Sequence, residues 1–526
     1  MPEYHIPHAV SRRRATRNGS RGAAPLINFR SMTDTAHDAI PPLDPADWDD
    51  FRRFAHAAVD DTLEHLRTIR ESKVWNTMPQ AVRDRIMDEP VPRTGLGEDA
   101  AYRDFVEFVR PYPSGNLHPR SWGWVRGNGT PFGALADYLA SSLNPNVGGF
   151  DQAPVLVERK VVAWFAEVMG FPATTGGILT SGGSMANVLG LAVARNSNAG
   201  FDVRAEGLQS AHPRLLVYGA TETHSWLKKA CELLGLGNSA FRRVPVDGEY
   251  RIDIGALESM IAADRAAGHR PFCVVGTAGT VNTGATDDLD ALADVCARER
   301  LWFHVDGAFG ALIALCPEYA HMLRGMERAD SLAFDLHKWG YLPFDIACTL
   351  VRRDEDLLAT FSVHGAAYLE VEERGAMANL GTYHASRGIE LSRSFKALKA
   401  WMSVRAHGFD TWARHIARNI EQAQHLVRRV RAHPDLELLA PAPLNVVNFR
   451  WAPEGVPRDS LDDINREILM RLQERAIALP SATTLPGGYA IRCANTNHRT
   501  RHDDFDALVE AVASIGAEVW GERQRA

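Results

Sequence analysis

An α/β fold is predicted, with a largely parallel sheet in a large domain and a smaller α+β domain on its C-terminal side. Three features of the sequence carry this reading. From about Phe165 onward, short apolar runs at 214–219, 271–276, 301–305, 331–334 and 346–351 alternate with helical stretches. Short apolar runs separated by helices are what a parallel sheet buried on both faces requires. The residues with chemical capability fall just past these runs, which is where open α/β sheets bind their ligands. After about Ala406 the pattern changes to a long helix at 412–431, strands at 436–439 and 446–449, a helix at 461–478 and a last helix from Asp503.

A chain of 526 residues is long enough for several units around a sizeable core. With 45% hydrophobic and 23% charged residues, its composition is that of a globular protein. A formal net charge of -7 gives no general attraction to nucleic acid or to an anionic membrane. No apolar run is long enough to span a bilayer, and the first forty residues lack the apolar core of a secretory signal. The six cysteines show no CxxC spacing, which predicts reduced core residues in a cytoplasmic protein, with no disulfide framework and no metal site.

The N-terminal residues stand apart. Arg12, Arg13, Arg14, Arg17, Arg21 and Arg30 face a single acid, Glu3, before Met32. Residues 1–42 are read as a disordered basic arm, or as a start upstream of a natural initiator at Met32, in preference to a nucleic-acid contact or a transit segment. Acids at Asp44, Asp47, Asp49 and Asp50 suit the N-terminus of a helix running to about Arg70. The expected organisation is a helical segment over 43–128, a large domain over 129–406 and a small one over 407–526.

The chemistry is concentrated at the ends of the apolar runs. His337 and Lys338 follow the run beginning at Ser331, where a lysine can form a Schiff base with a carbonyl cofactor. Asp306 ends the run 301–305, and a Schiff-base lysine with an aspartate set against a pyridinium nitrogen is the signature of pyridoxal 5′-phosphate (PLP) enzymes. Further motifs add to the pair. The glycine- and serine-rich stretch 176–187, with Gly183 and Ser184 before a helix over 188–195, lets backbone N–H groups approach a phosphate. It is neither a Walker loop nor a dinucleotide GxGxxG, and the same pattern also serves as a plain N-cap. His224 lies just past a strand, where a flat side chain can stack on a ring, although a lone histidine is more often structural. Thr277 lies past another. Tyr368 ends the Gly- and Ala-rich stretch 365–368, followed by charged residues at 370–374 and Gly375, a composition suited to a mobile lid.

Together these residues resemble the group II PLP-dependent amino-acid decarboxylases, the family of aromatic-L-amino-acid, histidine, tyrosine and glutamate decarboxylases. The resemblance extends from about Asp44 to the end, through 118–124, 144–146, 391–401 and Ile491-Arg492. It implies the fold-type-I (aspartate aminotransferase-like) architecture and PLP as cofactor. By position, Lys338 matches the lysine that binds PLP, and His337 the histidine touching phosphate and substrate. Asp306 matches the partner of the pyridine nitrogen, Ala308 the small residue under the ring, and His224 the histidine on its other face. Gly183 and Ser184 match the phosphate site, and Thr277 the threonine near the ring edge. Asp335 departs from the asparagine common in aromatic-type members and is left out of the cofactor set.

The resemblance also implies that Tyr368 returns a proton to Cα, giving an amine; Tyr383 is the competing donor. Related aldehyde synthases typically carry phenylalanine at that loop position. Trp122, Trp124 and Val125 match the lining of the substrate side-chain pocket, with residues near Asn146 and Phe150 supplied across a homodimer. Two tryptophans favour an aromatic substrate. Arg120 and Arg126 leave an acidic substrate open, and an oxidative aldehyde synthase is the other alternative.

Overall fold

The computed structural model describes residues 42–209, 212–362, 374–376, 378 and 382–525. The basic arm, apart from its last residue, and Tyr368 lie outside them. Residues 59–526 form one compact unit, and the residues before them belong to another. The first helix spans Trp48–Arg67, starting later than the acids suggested, because Asp47 acts as its cap: its Oδ1 accepts from the N–H groups of Asp49 and Asp50 at 2.9 and 3.0 Å.

The large sheet has seven strands: β1 (Gly176–Thr180), β2 (Leu215–Ala220), β3 (Phe241–Val244), β4 (Arg270–Thr277), β5 (Trp302–Asp306), β6 (Ser331–Asp335) and β7 (Ala347–Val351). Their order is β1-β7-β6-β5-β4-β2-β3, and only β7 runs against the others. β2, β5, β6 and β7 are buried along their whole length, as a sheet covered on both faces demands. The helix Gly183–Asn198 packs across β4, β5, β6 and β7; Ala153–Val168 packs on β1 and Leu289–Glu299 on β4 and β5.

Two differences from the sequence reading concern this sheet. Residues 176–180, read as the front of a phosphate turn, form β1, and the helix begins at Gly183 rather than Val188. The glycines that suggested a turn answer to packing instead. A Cβ on Gly177 would lie 2.7 Å from both the Thr349 carbonyl oxygen and Val162 Cγ1. The edge strand β3 carries two arginines among four residues and gives no apolar signal.

The second sheet is antiparallel, in the order β10-β11-β9-β8, from β8 (Leu436–Leu438), β9 (Val446–Trp451), β10 (Ser481–Leu485) and β11 (Gly488–Ala494). Helices Phe409–Ala432, Arg458–Glu474 and His502–Arg525 contribute Leu426, Ile464, Ile468 and Val512 to its core. β10 and β11 lie outside the strands that the sequence predicts: β10 alternates half-buried Ser481 and Thr483 with exposed Ala482 and Thr484 and has one apolar buried residue, Leu485, so the turn Pro486-Gly487 is the clearer mark. Among the described residues no helix is long and apolar enough to cross a membrane, and the six cysteines are buried and unpaired.

Candidate active site

Because β1, β2, β4, β5 and β6 run the same way, their carboxyl ends share one edge of the sheet, and a cavity of about 710 Å³ opens there. β4 ends on Thr277 and β5 on Asp306, side by side in register. β6 pairs with Asp306 through Ala333 and runs on to Asp335, with His337 and Lys338 in the turn beyond. β1 leads into Gly183 and Ser184 at the N-terminus of a 16-residue helix, where backbone N–H groups and the helix dipole favour an anion. β2 leads to His224. All of these side chains, with Ala308, line the cavity.

The polar groups are arranged around two carboxylates. Lys338 Nζ lies 2.7 Å from Asp335 Oδ2, and His337 Nε2 lies 3.6 Å from Asp335 Oδ1. Asp306, 3% exposed, accepts from Trp226 Nε1 at 2.6 Å on Oδ2, and from Ala308 N (3.1 Å) and Asn187 Nδ2 (3.3 Å) on Oδ1. A carboxylate has about four lone-pair positions, so three donors leave Oδ2 with one unused, on a residue that lines the cavity. Burial lowers the His224 pKa, with the Asp306 charge opposing it, and burial lowers that of His337. Both imidazoles are therefore neutral near pH 7.

These residues fit PLP. Thr277 Oγ1 is buried with no hydrogen-bond partner among the described residues, an acceptor and donor waiting for one. Gly183 leaves room for the Asp335 carboxylate beside the helix start, since a Cβ would stand 2.5 Å from its Oδ2. A lysine amine, an N–H-rich helix start and a buried carboxylate match the aldehyde, phosphate and pyridine nitrogen of that cofactor.

Two expectations need correction. Trp122 does not line the cavity: it is 1% exposed, stacks on Phe505 at 4.4 Å and donates through Nε1 to Thr500 Oγ1 at 3.2 Å. Trp124, two residues on, does line it with Val125; its backbone is left-handed, with a φ of 59°, and the residue is 69% exposed. Arg120 is held by Asp504, Nε to Oδ1 at 3.0 Å, and is not available to a substrate. Arg126 is: it lines the cavity with its guanidinium 5.3 Å from the Trp124 ring centroid. Tyr383 packs edge-on to Phe150, with ring centroids 6.5 Å apart, and is not among the cavity-lining residues.

Sequence reasoning missed Asp335 as Lys338's partner, the Asp306 partners Asn187 and Trp226, and the place in the cavity of Arg492, which it named only within the resemblance. Arg492 lines the cavity from β11, donates to the Val281 carbonyl, and is lowered to about 10 by burial. Each missed residue but Arg492 lies within three residues of a recognised one, a proximity that marks them only after the fold is known.

The pyridoxal-dependent decarboxylase conserved domain matches residues 85–452. The chain belongs to that family. The decarboxylase is 30% identical to an aromatic-L-amino-acid decarboxylase of Bacillus atrophaeus over 90% of its own length and 96% of the relative's. It is 27% identical to a phenylacetaldehyde synthase of Arabidopsis thaliana, with 86% and 93% covered. An Oryza sativa TDC solved with PLP and tryptamine superposes with a TM-score of 0.83 at 26% identity, covering 91% of this chain and 99% of that one. The protein is thus a PLP-dependent amino-acid decarboxylase of fold type I. Arg492, which reaches the decarboxylase's cavity from β11, lies beyond the matched range.

Proposed function

We propose that this decarboxylase converts an aromatic L-amino acid to its amine and CO2, as a cytoplasmic homodimer with the domain limits 43–128, 129–406 and 407–526. The observation that carries the substrate class is Trp124, whose exposed ring forms part of the cavity wall and offers a face for stacking. The Bacillus relative, named for aromatic amino acids, supports the same reading.

PLP, when bound, supplies an electron sink for the pair left on Cα as the carboxylate departs. Lys338 would hold it covalently, with Gly183, Ser184 and His337 about its phosphate. Asp306 would hold a proton at the pyridine nitrogen, a reading supported by its burial at the cavity and by the acceptor position its three donors leave open. His224 and Ala308 would take the two ring faces, and Thr277 the ring edge. Tyr368 is assigned the return of a proton to Cα on the family resemblance, with Tyr383 as the other candidate.

The test is a product assay: PLP-loaded protein with L-Trp, L-Tyr, L-Phe, L-DOPA, L-His, L-Asp and L-Glu, followed by mass spectrometry for amines and aldehydes. Amine from the aromatic substrates is expected. Amine from Asp or Glu alone would transfer specificity to Arg126, which makes no ion pair among the described residues and is the observation behind that second reading. Aldehyde with peroxide would assign the chain to oxidative aldehyde formation, the alternative that similarity to the Arabidopsis phenylacetaldehyde synthase keeps in view.

A further inference from the structure

A buried hydrogen-bond chain runs away from the cavity behind Asp306. His304 lies two residues before it on β5, 0% exposed, with Nε2 2.7 Å from Asn187 Oδ1 and Nδ1 2.8 Å from Ser331 Oγ. Trp302 Nε1 reaches the same Ser331 Oγ at 2.8 Å, and Asn187 Nδ2 reaches Asp306 Oδ1 at 3.3 Å.

Both ends of this chain fix its direction. Asn187 Nδ2 also donates to the Gly183 carbonyl at 2.7 Å. A carbonyl only accepts, so the amide nitrogen is on that side and Oδ1 faces His304, which must present an N–H there. At the far end an indole only donates, so the Ser331 hydroxyl accepts from Trp302 and turns its own proton to His304 Nδ1. The imidazole has one arrangement that satisfies both neighbours, with its proton on Nε2.

The surroundings are built for this ring. Burial pushes His304 down to about 3, with no charged neighbour contributing, so it stays neutral. A Cβ on Gly190 would stand 2.6 Å from His304 Cε1, so that glycine makes room for the imidazole against the helix. The ring also supports Trp226, the donor to the other Asp306 oxygen, edge-on at 5.7 Å and 75°.

We propose that His304 is a positioning residue for Asp306: neutral, with its proton on Nε2, it completes a one-way chain from Trp302 through Ser331, His304 and Asn187 that holds the carboxylate as an acceptor facing the cavity. The proposal rests on the reading of Asp306 as the partner of the pyridine nitrogen. Asn187 presents a donor to the carboxylate with its oxygen held by His304 and its nitrogen shared with the Gly183 carbonyl; without His304 the amide oxygen is left buried and unmet, and one of the two anchors that set the angle of Nδ2 toward Asp306 is lost.

Two measurements test it. In the cofactor-free parent, 15N-histidine NMR is expected to show His304 as a neutral Nε2–H tautomer that does not titrate between about pH 5 and 9. A titrating ring, or an Nδ1–H tautomer, would overturn the chain whatever Asp306 does. Separately, His304→Phe fills the space without a donor, and His304→Gln restores an N–H near the Nε2 position. His304→Phe is expected to weaken PLP binding about 10-fold or more, to shift the pH dependence of the bound cofactor's visible absorption, and to lower kcat with little change in KM. His304→Gln is expected to recover most of each. Asp306→Ala is run beside them. If it loses the absorption signature while His304→Phe keeps it, positioning by His304 is refuted and the Asp306 reading stands. If Asp306→Ala itself is unchanged, both fail; equal damage by Phe and Gln would leave His304 with packing alone and overturn the proposal.

Discussion

The two carboxylates in the cavity have different company and should respond differently to loss. Asp306 is supplied with three hydrogen-bond donors that fix its direction, so its value lies in where it points. Asp306→Ala is expected to retain some PLP but lose nearly all turnover, measured by cofactor absorbance and amine release; near-parental turnover would refute its electronic role. Asp335 instead faces Lys338 at 2.7 Å. Asp335→Asn removes the counter-charge of a partly buried lysine and a like charge near the phosphate site. Thermal unfolding of the cofactor-free variant should show a loss of about 2 kcal/mol, while titration should show PLP binding no weaker than in the parent. His224, Asp306 and Thr277 were recognisable in the sequence because each falls at or just past the end of an apolar run. Asn187, His304 and Trp226 were not, because Asn187 and Trp226 matter through contacts with Asp306 made from two helices, and His304 through its contact with Asn187.

Elements differ in how plainly they announce themselves. β2, β4, β5, β6 and β7 are apolar runs and were recognisable within a residue or two. β1 was hidden by glycines that packing demands, and β10 by its half-exposed position. The turn after β6 is held from the small-sheet side by Asn419, on the helix Phe409–Ala432. Its Oδ1 accepts from Trp339 Nε1 at 3.1 Å and from Tyr341 OH at 2.8 Å, and its Nδ2 donates to the Asn497 carbonyl at 3.0 Å. All are buried. Asn419→Leu should leave two buried donors unmet next to Lys338 and cost about 3 kcal/mol, read by urea unfolding, with a fall in PLP occupancy. No change in stability would mean that water replaces the amide. At the β1–helix junction, Gly183→Ala should lower PLP affinity at least about tenfold with the fold retained, because its methyl group would enter the space of Asp335 at the phosphate site.

At the scale of the whole molecule, buried titratable groups set the response to acid. Burial pushes His304 and His498 from 6.5 down to about 3, so the unfolded chain takes up their protons first as pH falls. Stability is therefore lost progressively from about pH 6.5 toward 3. Burial raises Glu158, but Arg393, bound to it at 2.5 and 3.0 Å, and His384 bring it from 4.5 down to about 2. Its contribution is present above pH 4.5 and disappears as pH falls toward 2. Asp287 works the other way: burial raises it from 3.8 to about 6, so the folded state binds its proton more readily between those values. The two histidines have the larger combined shift. Denaturant unfolding from pH 7.5 to 4 is expected to show a steady fall in stability, and His498→Asn should flatten it; a flat parent profile would contradict the burial of these rings.

The sequence by itself determined the fold class, the family and the residues that end the central strands. Those properties are local: an apolar run, a turn and a reactive side chain at fixed spacing. Tertiary structure decided which of two tryptophans two residues apart faces the cavity, which of two arginines is free to meet a substrate, and how Asp306 is held. Trp122 is drawn into the core beside Phe505, while Trp124, left-handed in its backbone, stays exposed. Asp504 claims Arg120 from a helix 384 residues away in sequence. The chain behind Asp306 exists only because parallel pairing places Ser331 beside His304 and the helix from Gly183 lays Asn187 across both. Such contacts depend on the register and stacking of distant segments, which no single stretch of sequence encodes.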